Sequence, residues 1–224
     1  MLLFIPGEPK YMKHIQVPLI TAVSDTPFHE ISQQLNESGF HPIDITPWPQ
    51  FAYRPHVQFS IAHGTDAVFL RYNVNEKFVR AIYGQPNDPV YKDSCVEFFI
   101  SFRHEEEYYN FEFNAAGTCL AGFGRHRNDR SMLPGETIRL IRHQSLLRTA
   151  VAHNSNICWE LTLIIPLRAF YYHELTALSR ITSRVNFYKC GDDLPDPHFI
   201  VWNNIEAPQP DFHLRDFFGS AQFT

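Results

Sequence analysis

The chain has 224 residues, 44% of them hydrophobic, 19% charged and 15% aromatic, a globular composition with an aromatic excess that excludes a disordered or low-complexity chain. A net charge of -5 with scattered Lys and Arg gives no basic field for a phosphate backbone. No run reaches the roughly 18 apolar residues of a membrane span, so neither nucleic acid nor a membrane is an expected partner.

One core suffices at this length, so a single domain over 1–224 is expected, with 1–54 as an extension packed on it. The apolar start "MLLFI" breaks at Pro6-Gly7, too short for a signal core. The chain as given is therefore expected to be cytoplasmic, or extracellular or periplasmic if a leader has been removed. Cys95, Cys119, Cys158 and Cys190 lie far apart without CxxC spacing and are expected to be buried free thiols.

In chain order, Thr26-Pro27 before "FHEISQQLNE" predicts an N-cap and a first helical proline, with Phe28, Ile31 and Leu35 on one face. From Pro55 the hydrophobic period becomes two. "HVQFSIAH" and "AVFLRYNVNE" read as neighbouring strands joined at "HGTD". Further strands are predicted at 94–102, 108–114, 136–142, 147–153, 157–165, 183–190 and 198–205, and a helical turn is predicted from Pro166. Many short strands with turn signals between them define an all-β, antiparallel β-sandwich of jelly-roll type with one or two short helices.

The strand "CVEFFISF" carries a carboxylate at its centre. Alternation places Val96, Phe98, Ile100 and Phe102 on a core face and Cys95, Glu97, Phe99 and Ser101 on the other. "YYNFEFN" repeats the arrangement, with Asn110, Glu112 and Asn114 on the polar face. Matching core face to core face leaves two registers: Glu97 opposite Glu112, or Glu97 opposite Asn114 with Glu112 opposite Phe99. Directly opposed like charges are destabilising, which favours the second. Such a patch of carboxylates and amides beside aromatic rings suits sugar hydroxyls and C–H faces. It equally suits side chains that satisfy one another, or oxygen ligands around calcium.

The segments "VYKDSCVEFFI", "YYNFEFNAAGT" and "VNFYKCGDDLPDPHFIVWNNIEAPQPDFHLRDFFG" resemble the family 9-like carbohydrate-binding domains of the DOMON-like superfamily, from about Pro55 to Phe223. The resemblance implies a sandwich that binds sugar without cleaving it, needs no cofactor and is compatible with a structural calcium ion, although no metal ligands are assigned. It also implies two aromatic rings around the sugar. Tyr91 takes the first place, where the family usually has tryptophan. Trp202, with Asn203 beside it, is the candidate for the second, and a core position for Trp202 is the alternative; Phe212 is a loop alternative. Lys189 is a further ligand candidate, expected to pair with Glu97 or Glu112, and His198 a weaker one. Trp159 reads as core, and Trp48 as packing the N-terminal segment over the sandwich.

The expected function is therefore non-catalytic binding of a mono- or oligosaccharide or a glycan end. Expected ligand contacts come from Tyr91, Glu97, Glu112, Asn114, Lys189, Trp202 and Asn203. Two rivals remain open. A glycoside hydrolase would use Glu97 and Glu112 as its carboxyl pair, and a scaffold that has lost sugar binding would serve as a protein interaction module. Haem and transition metals are disfavoured, since Met12 and Met132 lie outside the motif strands and no HExxH or paired-histidine spacing for zinc is present.

Overall fold

The computed structural model describes residues 12–103, 105–149 and 156–224. Its strands are β1 (His14–Val17), β2 (His41–Ile43), β3 (His56–His63), β4 (Ala67–Glu76), β5 (Cys95–Phe102), β6 (Tyr108–Asn114), β7 (Cys119–Gly124), β8 (Ser131–Met132), β9 (Arg142–Thr149), β10 (Ile157–Pro166), β11 (Thr182–Cys190), β12 (Phe199–Val201) and β13 (Gly219–Phe223). They form two sheets. One runs β1-β13-β11-β5-β6-β7-β8, with β12 also paired to β11; the other runs β2-β3-β4-β10-β9. Pairing is antiparallel except at one edge, where β1 runs parallel to β13.

Alternation explains the sandwich. Val57, Phe59 and Ile61 from β3, Leu70 and Tyr72 from β4 and Leu161 and Leu163 from β10 meet Val96, Phe98, Ile100, Val185 and Phe187 of the facing sheet. Phe59 and Phe187 stack across the gap with centroids 3.7 Å apart. Each such ring or branched chain contributes roughly 1.5–3 kcal/mol on burial. Trp159 is fully buried and donates its indole N–H to Glu76 Oε1 at 2.7 Å.

The outer face of the larger sheet carries a second apolar cluster, built around Trp48, Phe99, Tyr108, Tyr188 and Phe212. On the opposite side of the molecule, helix α1 (Phe28–Ser38) lays Ile31 and Leu35 on Phe69 and Ile164 of the smaller sheet. The helix begins one residue later than expected: Pro27 is its N-cap, while the Thr26 hydroxyl accepts from Val23 N–H. Gly39 closes it at φ 87°, the left-handed region that glycine enters at no steric cost.

Several strand expectations need correction. Residues 135–138 form the short helix α2 (Gly135–Ile138), which Pro134 leads into, and one strand, β9, replaces the two expected around it; residues 150–153 of the second lie outside the described residues. β1, β2, β7, β8 and β13 carried no readable strand signal. β7 is "CLAGFG", whose two glycines read as a turn. Gly124 is nevertheless needed there, because a Cβ would lie 2.6 Å from the Arg130 backbone. No helix among the described residues is long and apolar enough to cross a membrane.

Candidate functional site

The opposition of Glu97 and Glu112 is real. β5 and β6 pair with Glu97 facing Glu112, Cys95 facing Asn114 and Phe99 facing Asn110, so the register favoured on charge grounds is not the one adopted. The physical reason is protonation. Burial, then the neighbouring Glu112 charge, raises the Glu97 carboxyl well above its usual range. Burial raises Glu112 to about 7, against the opposing pull of Arg130. Two carboxyls of which one is neutral do not repel as two carboxylates would.

Each has partners on the floor of a cleft. Arg130 Nη1 donates to Glu112 Oε1 at 3.3 Å, Asn110 Nδ2 donates to the same oxygen at 3.0 Å, and Cys190 Sγ donates to Glu97 Oε1 at 3.2 Å. Arg130 Nη1 also donates to His213 Nε2 at 3.0 Å. Arginine can only donate, so Nε2 is the bare nitrogen and Nδ1–H is directed at the Tyr108 hydroxyl, 2.9 Å away. Burial and then Arg130 lower the His213 pKa to about 2, so the ring is a neutral spacer.

The cleft has a volume of about 330 Å³ and opens on the outer face of the larger sheet. Tyr91, Phe51, Phe199 and Phe212 line it with rings. Behind them Phe51 and Phe199 meet edge to face at 4.7 Å, Phe212 stacks on Tyr188 at 4.2 Å, and Trp48 lies edge-on to Phe199 at 6.3 Å. Arg127, Asp192, Gln209 and Asp211 add polar groups to the lining. Asp192 is raised to about 6 by burial, against the pull of Arg127.

Local structure aims these groups. Tyr91 sits in a 3-10 turn, Val90–Lys92, immediately before buried Asp93. Asp93 Oδ2 accepts from Ile82 N–H at 3.0 Å, from Tyr83 N–H at 3.1 Å and from Asn114 Nδ2 at 3.0 Å, while Arg80 Nε stands 3.3 Å from its Oδ1. The whole loop ahead of β5 is thereby tied to the sheet, and Tyr91 with it.

Of the residues expected from sequence, the structure brings Tyr91, Glu97 and Glu112 together in the cleft. Phe212, the loop alternative for the second ring, lines it too, and the others lie elsewhere. Trp202 is buried in the inter-sheet core, edge-on to Phe187 at 5.5 Å and to Phe59 at 6.2 Å, and Gly219 has no room for a Cβ because of its ring. Asn203 accepts from Lys13 N–H at 2.7 Å and donates to Phe217 O at 2.9 Å, fastening the chain after β12. Asn114 is spent on Asp93 and Tyr83 O, and its carbonyl oxygen caps the turn at Ala116 and Thr118. Lys189 faces the core, 3.0 Å from Glu76 Oε2 and 2.8 Å from His198 Nε2, both partners fully buried. It pairs with neither Glu97 nor Glu112, because it opposes Val96 and shares that residue's face.

Sequence reading missed Arg127, Arg130 and His213, which belong to loops whose path no periodicity encodes. Their only signal was clustering: "RHRNDR" after β7, and "PDFH" with a ring beside an imidazole. Among the described residues, no three carboxyl groups bring ligand atoms within 4.8 Å of one another.

A ring-walled, polar-floored cleft on one sheet of a β-sandwich has the shape and lining of a small-ligand site. The sequence matches carbohydrate-binding family 9 over residues 29–223, and the chain belongs to that family. A protein from Bacteroides uniformis ATCC 8492, with a provisional carbohydrate-binding designation, shares 34% identity and the fold at a TM-score of 0.88, over 96% of this chain and all 100% of that one. A family 9 module from Caldicellulosiruptor kristjanssonii in complex with glucose matches at TM-score 0.58 and 12% identity, over 95% of this chain and 96% of its own. One from the same organism in complex with cellotriose matches at 0.59 and 11%, over 94% and 93%. Likeness at those identities is likeness of fold. No protein with a curated description matches the sequence.

Proposed function

We propose that this family 9 protein binds carbohydrate without cleaving it, and that a monosaccharide or a glycan end sits in the cleft over Glu97 and Glu112. The observation that carries this reading is the pairing of ring walls with a floor of hydrogen-bonding carboxyls. Tyr91, Phe51 and Phe199 offer faces and edges to the C–H surface of a pyranose, while Arg127, Asp192 and Asp211 supply donors and acceptors for its hydroxyls. A volume of about 330 Å³ lies at the small end of ligand sites, roughly 300–1,000 Å³, which favours one or two sugar rings over a long chain. The carbohydrate needs no cofactor there.

The carboxyl pair stands side by side on one sheet face rather than on two sides of a ligand bond. A glycosidase needs one carboxyl to protonate the leaving group and the other to work from the opposite face. Binding is the better use of this geometry.

Calorimetric titration with glucose, cellotriose and a panel of other mono- and oligosaccharides tests the proposal. Saturable heat is expected for at least one sugar, and Tyr91→Ala is expected to weaken it about tenfold, the equivalent of about 1.4 kcal/mol. Absence of heat for every sugar with folded protein would sink the reading and turn attention to a protein partner. Release of nitrophenol from aryl glycosides would instead favour the hydrolase.

A further inference from the structure

Cys95 and Cys190 are directly opposed across β5 and β11. Glu97 follows Cys95 by two residues on the same face, and its carboxyl accepts from the Cys190 thiol at 3.2 Å. The donor atoms of all three lie within 4.8 Å of one another. With zinc bonds of about 2.3 Å to sulfur and 2.1 Å to oxygen, ligand atoms around a tetrahedral ion stand roughly 3.4–3.8 Å apart. The Cys190–Glu97 pair at 3.2 Å is near that spacing, and the remaining atoms, all within 4.8 Å, need only small side-chain shifts to reach it.

A role as small apolar fillers accounts poorly for this pair. All three side chains are buried, Cys95 and Cys190 within the outer apolar cluster, but Cys190 and Glu97 also line the floor of the cleft, which gives an ion its way in. The sulfurs have only weak further partners, Cys95 with Val96 O at 3.8 Å and Cys190 with Tyr91 O at 3.6 Å. The nearby ammonium of Lys189 is occupied by Glu76 and His198 on the other face of the sheet.

We propose that reduced Cys95 and Cys190, with Glu97, form a site for a thiophilic divalent cation of the zinc class on the floor of the cleft, its fourth position open to the cleft. Two sulfurs and one carboxylate suit zinc or cadmium and are the wrong donors for calcium or magnesium. Three protein ligands with one open position is also the arrangement of zinc sites that take water or a ligand oxygen. On binding, each thiol loses its proton to solvent as the sulfur–metal bond forms, Glu97 loses its own where it carries one, and no electrons are transferred. The proposal does not depend on a sugar being bound.

The test is titration of the reduced, full-length protein with Cd²⁺, followed by the ultraviolet thiolate-to-cadmium absorption, and with Zn²⁺, followed by calorimetry. One equivalent of each is expected. Cys190→Ser should abolish the absorption, and Cys158→Ser, on β10 away from the site, should leave it unchanged. Because a cysteine variant can fail to fold, Glu97→Gln is measured as well. It keeps the side-chain shape and should weaken Zn²⁺ by at least the roughly 10–100-fold lost with an outer-sphere partner. The proposal is overturned by lack of the absorption in folded reduced protein, by its survival in Cys95→Ser/Cys190→Ser, or by full affinity in Glu97→Gln.

Discussion

Glu97 is buried to 3% exposure and Glu112 to 2%, yet the two face each other on adjacent strands. Since burial and Glu112 hold Glu97 in its protonated form, its neutral isostere should cost little. Glu97→Gln is expected to change unfolding free energy in urea by less than about 1 kcal/mol. Glu76→Gln is the contrast, because it removes the carboxylate that faces fully buried Lys189 at 3.0 Å. Breaking such a pair from one side costs about 3–5 kcal/mol, and a loss below about 1 kcal/mol would show that the ion pair is immaterial. The polar face of β5 was legible from alternation alone. Its register was not, because the rule against opposed like charges assumes ionised groups, and burial here neutralises one. Lys189 was misassigned for a related reason: its face follows from the β11–β5 register, which sets Tyr188 against Glu97 and Lys189 against Val96.

At the scale of elements, the loop ahead of β5 hangs on one carboxylate. Asp93→Ala leaves Ile82 N–H and Tyr83 N–H without their acceptor, takes one of two acceptors from Asn114 Nδ2, and leaves Arg80 with Asp193 alone. Each buried group so orphaned costs about 1–3 kcal/mol, so a loss of at least about 2 kcal/mol is expected in denaturant unfolding. In protein that remains folded, sugar affinity should fall with it, because Tyr91 rides on the same turn. Retained affinity with lost stability would show that the turn holds its shape without Asp93. The long alternating strands β3, β4, β5, β6 and β10 were readable because each carries enough residues for the period to emerge. β1, β2, β8 and β13 span only two to five residues, too few for a period, and the places of β1 and β13 are set by partners distant in sequence. The cleft's arginines share that difficulty, since "RHRNDR" reads as a solvated turn until Arg130 is seen beneath Glu112.

For the whole molecule, the N-terminal segment is part of the site's wall as well as a cover: Trp48 backs Phe199 and Phe212, its indole N–H fixed on Ala207 O at 2.9 Å, and Phe51 enters the lining. The aromatic excess thus divides between the inter-sheet core, where Trp202 lies, and this outer cluster. The same burial sets the acid response. Burial lowers His198 to about 3 and His213 to about 2. An unfolded imidazole takes up its proton near 6.5, so each folded histidine contributes stability that is full above pH 6.5 and is lost as pH falls toward 3. Glu112, raised to about 7, and Asp192, raised to about 6, act oppositely: the folded chain keeps protons that the unfolded chain releases above 4.5 and 3.8, so their effect favours folding at low pH. Between pH 4.5 and 6 the two slopes oppose and stability should be nearly flat. As pH falls below about 3.8 these two carboxyls become protonated in both states and no longer oppose the two buried histidines, whose combined slope is about 2 kcal/mol per pH unit. Urea midpoints from pH 7 to 3 should therefore show a plateau followed by a steep fall, and His198→Gln should halve the steepness of that fall. An even decline from pH 6.5 downward would mean that the cleft carboxyls are ionised in the folded state, and with that the account of the Glu97–Glu112 register would fail.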